Sequence, residues 1–149
     1  MMRLLKLTIT ALLLVLILTR GFEIAAQDKN WLPYEPATIE LQGRVIVQWK
    51  YGPPNYGENP KTDRKVRVPI LLLSKPVNVR GNPQDELNSE SVEGIRRIQL
   101  DFFNLKTSYN QFNGKKVVVT GTLIHAITGH DYTKAVMNLQ SIKVKKWNE

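Results

Sequence analysis

Two histidines, His125 and His130, are the only imidazoles in the chain, and there is no cysteine. With Asp131 they could offer nitrogen and oxygen donors to a borderline metal such as zinc or copper. Three donors leave a tetrahedral shell incomplete, and a spacing of five residues around a turn matches no strong metal signature. The plainer reading has one histidine hydrogen-bonding a turn and the other on a strand face. No cofactor is therefore expected, and His125, His130 and Asp131 stand as an alternative metal site.

A second group joins aromatic rings to cations. Tyr51 and Tyr56 lie in a Pro- and Gly-rich stretch that ends in Lys61, Arg64 and Lys65. Interleaved rings and cations can recognise a ligand by stacking and cation–π contact. The competing reading is a solvated loop stiffened by proline. His130, Tyr132 and Lys134, on and just after a Thr128–Tyr132 turn, complete the expected ligand-binding set. The C-terminal Lys143, Lys145 and Lys146 read as a solvated strand end that could extend a basic surface.

Catalytic patterns are missing. The sequence holds no Gly-x-Ser-x-Gly elbow, no His-Glu-x-x-His pair and no Gly-rich phosphate loop. Asp85, Glu86, Glu90 and Glu93 could pair as glycosidase-type carboxylates. They fall in a polar loop, where nothing would raise a general acid's pKa. A non-enzymatic protein is expected.

The elements that must position these residues are mostly strands. From Ile39, apolar residues alternate through Leu41, Val45, Val47 and Trp49, with a bulge or bend expected at Gly43. Val66–Leu73 reads as a strand with an edge or bulge at Pro69, and Pro76–Val79 as its continuation or neighbour. Ile95–Phe103 alternates again. Leu105, Tyr109 and Phe112 suggest a short helix. Val117–Ala126 is crowded with β-branched residues, and Lys134–Val144 forms a last strand with a register shift near Gln140-Ser141. The expected fold is all-β with minor α: a small five-stranded OB-like barrel with one short helix, a β-sandwich being the alternative. In an OB-fold, ligands commonly sit on the loops joining strands 1–2 and 4–5, here Tyr51–Lys65 and Thr128–Tyr132.

The N-terminus reads as a leader. Arg3 and Lys6 precede an uncharged, Leu-rich run from Leu7 to Thr19, and Arg20 ends it short of the roughly 20 residues a membrane-spanning helix needs. Cleavage is expected after Ala26, giving a signal peptide over 1–26, an N-terminal arm over 27–36 and an OB-like domain over 37–149. An uncleaved anchor is the alternative. The expected location is periplasmic or secreted, with no stable membrane span once the leader is removed. The whole chain carries a formal net charge of +8, and residues 27–149 stay basic once Arg3, Lys6, Arg20 and Glu23 are set aside. That balance favours a protein or acidic envelope component as partner, and export disfavours nucleic acid. An inhibitor or immunity-type role fits a small basic exported domain.

Gly114-Lys115-Lys116-Val117-Val118-Val119-Thr120-Gly121-Thr122-Leu123, followed by His125 and Thr128-Gly129-His130, resembles an element of an uncharacterised family of exported bacterial proteins, a domain of unknown function. The likeness extends to Ala37–Leu41, Gly52–Tyr56 and Arg97–Leu100. Family members often carry further histidines after Thr-Gly-His, where this chain has Asp131-Tyr132. The resemblance implies an OB-like β domain in the cell envelope and supplies no reaction.

Overall fold

A computed structural model describes residues 31–145. The leader expected over 1–26 lies outside the described residues. Six strands form: β1 (Trp31–Pro33), β2 (Thr38–Tyr51), β3 (Lys65–Arg80), β4 (Val92–Asp101), β5 (Lys116–His125) and β6 (Ala135–Val144). β2 pairs antiparallel with both β3 and β5, β3 with β4, and β5 with β6, while β4 and β6 pair parallel. These pairings return to their starting strand, so β2–β6 close an all-β, five-stranded barrel. Closure removes the sheet edges that a sandwich would keep, and so excludes that alternative.

One expected element takes a different form, and one short strand is added. Within the stretch expected as an arm over 27–36, Trp31–Pro33 forms β1, parallel to Asn78–Arg80 at the end of β3 and outside the ring. The Arg80 guanidinium lies 5.3 Å from the Trp31 ring centroid, and Tyr34 enters the core. The expected helix is a single 3₁₀ turn, Tyr109–Phe112, capped by the Ser108 hydroxyl. Its sequence offers one apolar anchor, Phe112, which is buried in the core against Phe102. As expected, Pro76–Val79 continues β3, beyond an irregular pairing between Leu72 and Val77.

Alternation sets the core. Val117, Val119, Gly121 and Leu123 point inward from β5, facing Leu71, Ile98, Met137 and Leu139. Long strands close so small a ring by bending. β2 pairs with β5 through Arg44 and with β3 from Gly43 onward, so it changes partner at Gly43. The register of β5 against β6 shifts between Thr120 and Gly121, leaving Gln140 as the extra residue of a bulge. The second feature agrees with the shift expected near Gln140-Ser141, while at Gly43 the ladders on both sides keep their register and the strand changes partner without a bulge. Pro69 pairs with Val47 and lies one residue before the β3–β4 ladder begins at Ile70, where β3 has a free side.

Beyond that ladder the β2–β3 hairpin runs on as a two-stranded ribbon. Trp49, expected on the inward face, is consequently 66% exposed, because the ring ends before it.

At Gly121 a Cβ would collide with the Asn138 carbonyl oxygen of β6, a backbone atom that cannot swing away. Overpacking a well-packed core costs about 1–3 kcal/mol. We expect Gly121→Ala to lose at least the upper part of that range in denaturant unfolding, whereas Gly94→Ala, with open space at its Cβ but a φ of 63°, loses only the smaller cost of a left-handed backbone.

Candidate two-loop binding face

The loop between β2 and β3 is organised around Asp63, buried although charged. Its Oδ1 accepts the Asn55 N–H at 2.9 Å, and its Oδ2 accepts those of Gly57 at 2.7 Å and Asn59 at 3.3 Å. Burial works against the charge, but these N–H donors together outweigh it and hold the carboxyl below its ordinary value. The loop base is closed by Gly52 N–H to Arg64 O at 2.7 Å and Arg64 N–H to Pro53 O at 3.1 Å.

The bonds from Asn55 and Gly57 bracket Tyr56, whose φ of 53° is unusual for a bulky side chain. That conformation aims the Tyr56 ring across at the β5–β6 loop. Tyr56 Oη lies 2.9 Å from His130 Nε2, and the two rings meet edge to face at 5.2 Å between centroids. Gly129 supplies the space: a Cβ there would stand 3.0 Å from the Tyr56 ring.

The opposing loop is built in the same way. Asp131 Oδ2 accepts the Ile127 and Thr128 N–H groups at 3.0 and 2.8 Å and the Thr128 hydroxyl at 3.0 Å. Gln99, on β4, clamps it from below. Its Nε2 donates to His130 O at 3.1 Å, and its Oε1 accepts the Tyr132 N–H at 2.9 Å. Tyr132 Oη then donates to Tyr51 O at 3.0 Å, returning to the end of β2. Burial, with Tyr56 second, raises the Tyr132 phenol above its ordinary value, so it stays a neutral donor.

Tyr51, Tyr56, His130 and Tyr132 thus gather at one end of the barrel. Lys61, Arg64, Lys65 and Lys134 are exposed around them. Three cationic or aromatic neighbours escaped the sequence reading. Trp49 stands exposed beside Tyr51 with the Arg67 guanidinium 5.9 Å from its ring centroid, and Arg97 lines a shallow depression with Tyr132 and Lys134. Trp49 and Arg67 are register partners on β2 and β3, and only the unequal lengths of the strands reveal that their face is uncovered.

The residues of the alternative metal site are not gathered. His125 lies at the end of β5 against Tyr34, with Nε2 4.0 Å from Glu90 Oε2. His130 meets Tyr56, and Asp131 caps its own turn. Among the described residues no group of three or more histidine, cysteine or acidic side chains is placed to hold a metal ion. The acidic loop over Gly81–Glu93 is likewise committed to structure at Asp85. Its carboxylate bonds the Asn88 side chain at 3.0 Å and the Leu87 and Asn88 N–H groups, which hold it below its ordinary value. Asn88, 2% exposed, accepts the His125 N–H at 2.9 Å and ties that loop to β5.

Residues 97–143 match the family described as Domain of unknown function (DUF4431), an uncharacterised family. The match takes in the Gly114–His130 element, Gln99 and the β5–β6 loop, and begins after the β2–β3 loop. Neither a curated protein nor a solved structure gives a match. Among the described residues no helix is long and apolar enough to cross a membrane.

Asp63 and Asp85 titrate below their ordinary values in the fold, so each stabilises the protein above the unfolded carboxyl pKa of about 3.9. That contribution is lost as pH falls through the lower folded value. We expect a melting temperature insensitive to both groups near neutrality and falling in the acid range. Asp63→Asn, followed by thermal melts across pH, should lower the neutral melting temperature and flatten the acid limb. An acid limb identical to that of the parent protein would show that another group governs it.

Proposed function

We propose that this protein is an exported, non-catalytic binding module that recognises a protein or acidic envelope component through the two joined loops. One observation carries the reading: Tyr56 and His130, from loops distant in sequence, meet on a single face, and exposed cations lie on the same loops or next to them. The Tyr56, His130 and Tyr132 rings stand there on backbone held by Asp63, Asp131 and Gln99. Rigid rings lose little entropy on contact and serve as anchors, while peripheral cations attract an acidic surface.

A non-catalytic role accords with how the polar groups are spent. Asp131 satisfies its own turn, Asp63 the opposite loop, and His130 Nε2 the Tyr56 hydroxyl. The basic balance of residues 27–149 and the leader-like N-terminus support an envelope setting, and a role as inhibitor or immunity protein would suit this size and charge. Export itself is testable: N-terminal sequencing of the fractionated protein should begin at or near Gln27, and a full-length chain confined to the cytoplasm would contradict it.

The binding mode predicts a division of labour once a partner is isolated from the envelope fraction. Reversing Lys61, Arg64 and Lys65 to glutamate should slow association, with an effect that fades as salt shortens the screening length from about 8 Å at physiological ionic strength. Tyr56→Ala should instead speed dissociation, by a factor corresponding to about 2 kcal/mol for a central aromatic anchor. Association and dissociation rates at two salt concentrations separate the two effects. Unchanged rates for both variants would move the binding surface off these loops.

A further inference from the structure

The β2–β3 ribbon leaves one edge of β2 unpaired. The β2–β5 ladder ends at Arg44, and Val45 completes it by donating its N–H to Lys115 O at 3.0 Å and accepting the Gly114 N–H at 2.8 Å. On the other side Gly52 N–H donates to Arg64 O at 2.7 Å, so the even-numbered residues before it turn their backbone groups to β3. Val47, Trp49 and Tyr51 therefore turn theirs to the free side. Two bonds bound this stretch: Val47 N–H donates to Asn113 Oδ1 at 3.1 Å, and Tyr51 O accepts the Tyr132 hydroxyl at 3.0 Å. Between them the Val47 carbonyl, both backbone groups of Trp49 and the Tyr51 N–H have no partner among the described residues.

An open strand edge is a template for a further strand, and proline is one of the usual ways to blunt it. The opposite edge of the ribbon has Pro69, the register partner of Val47, which has no N–H to give. β2 itself contains no proline. Its side chains add to the template. Trp49 and Tyr51 are exposed, and a groove of about 460 Å³ is lined by Trp49, Lys50, Tyr51 and Lys65. Lys65 is the register partner of Tyr51, and the Arg67 guanidinium reaches over from β3 to the Trp49 ring. Neither lysine of the groove has a salt bridge among the described residues.

We propose that this edge takes up an extended, acidic segment of the protein partner by strand addition, a mode that rests on the binding role proposed for the two loops. Trp49 would exchange two hydrogen bonds with one residue of an antiparallel segment, and Val47 O and Tyr51 N–H would each add one. Carboxylates at alternate positions fall on the face that carries Lys65 and Arg67. A second copy of this chain fits the edge poorly, since pairing edge to edge sets lysines near lysines. Through Tyr51 and Tyr132 the edge adjoins the two-loop face, so one partner can cover both.

The ¹⁵N-labelled protein titrated with a capped heptapeptide of alternating valine and glutamate tests this mode. Saturable shifts of the Trp49 and Tyr51 amide signals are expected, with slower exchange of both N–H groups. A peptide with lysine in place of glutamate should give neither. When the carboxylates lie beside Lys65 and Arg67, the glutamate amides face β2 and the valine amides face away. N-methylation of the glutamate amides should therefore weaken binding about fivefold or more, the loss of one net main-chain hydrogen bond, and N-methylation of the valine amides should leave it unchanged. Equal affinity of the two methylated peptides would overturn strand addition, as would dimerisation that protects the Trp49 N–H in the absence of peptide. Silence to the peptide would overturn it as well. If an isolated envelope partner then still protects both loops, the two-loop face stands without the edge; if it protects neither loop, the binding role itself fails.

Discussion

Barrel closure rests on a short parallel contact. β4 meets β6 through only Gln99–Asp101 against Val136–Asn138, yet without that pairing the sheet would be an open ribbon with two long apolar edges. The residue that begins the contact also serves the surface. Gln99 lends its backbone to the closing ladder and its side-chain amide to the β5–β6 loop, holding His130 and Tyr132 where Tyr56 and Tyr51 can reach them. The ring and the candidate binding face therefore depend on one another. A barrel that opened at β4–β6 would release the loop that carries half of the face.

The two ends of the barrel divide the charge in different ways. At the loop end, cations stand at the periphery of an aromatic cluster and point into solvent. At the Gly43 end, strand register sets Arg44 beside Lys116 on the outer, exposed face of the barrel. Exposed charges of this kind act at a distance and are screened by salt. Both follow from β2, which is long enough to pair with β5 over one half and with β3 over the other.

Much of the ring was legible in the sequence because alternation needs only neighbours. The inward faces of β2 and β5 and the bulge at Gln140 are written in local pattern. The closing contact is not: residues 99 and 136 are far apart, and no periodicity marks a three-residue parallel pairing. Trp49 was misplaced for a related reason, since alternation gives a residue's face but not the point at which the covering strands stop. β1 is too short for any pattern to show. At the site, tyrosines, lysines and the paired loops could be read from composition and chain order. Asp63 could not, because in sequence it resembles one more solvated charge beside Arg64 and Lys65, and only the folded loop turns three N–H groups toward it.

Two loops joined through Tyr56 and His130 are proposed to act as one binding face. Hydrogen exchange on the protein, alone and with a partner isolated from the envelope fraction, tests this most directly. Binding should slow exchange together in Asn55–Thr62 and in Thr128–Tyr132, with little change on the outer strands away from them. Protection confined to one loop, or to strand surfaces with both loops unaffected, would contradict it.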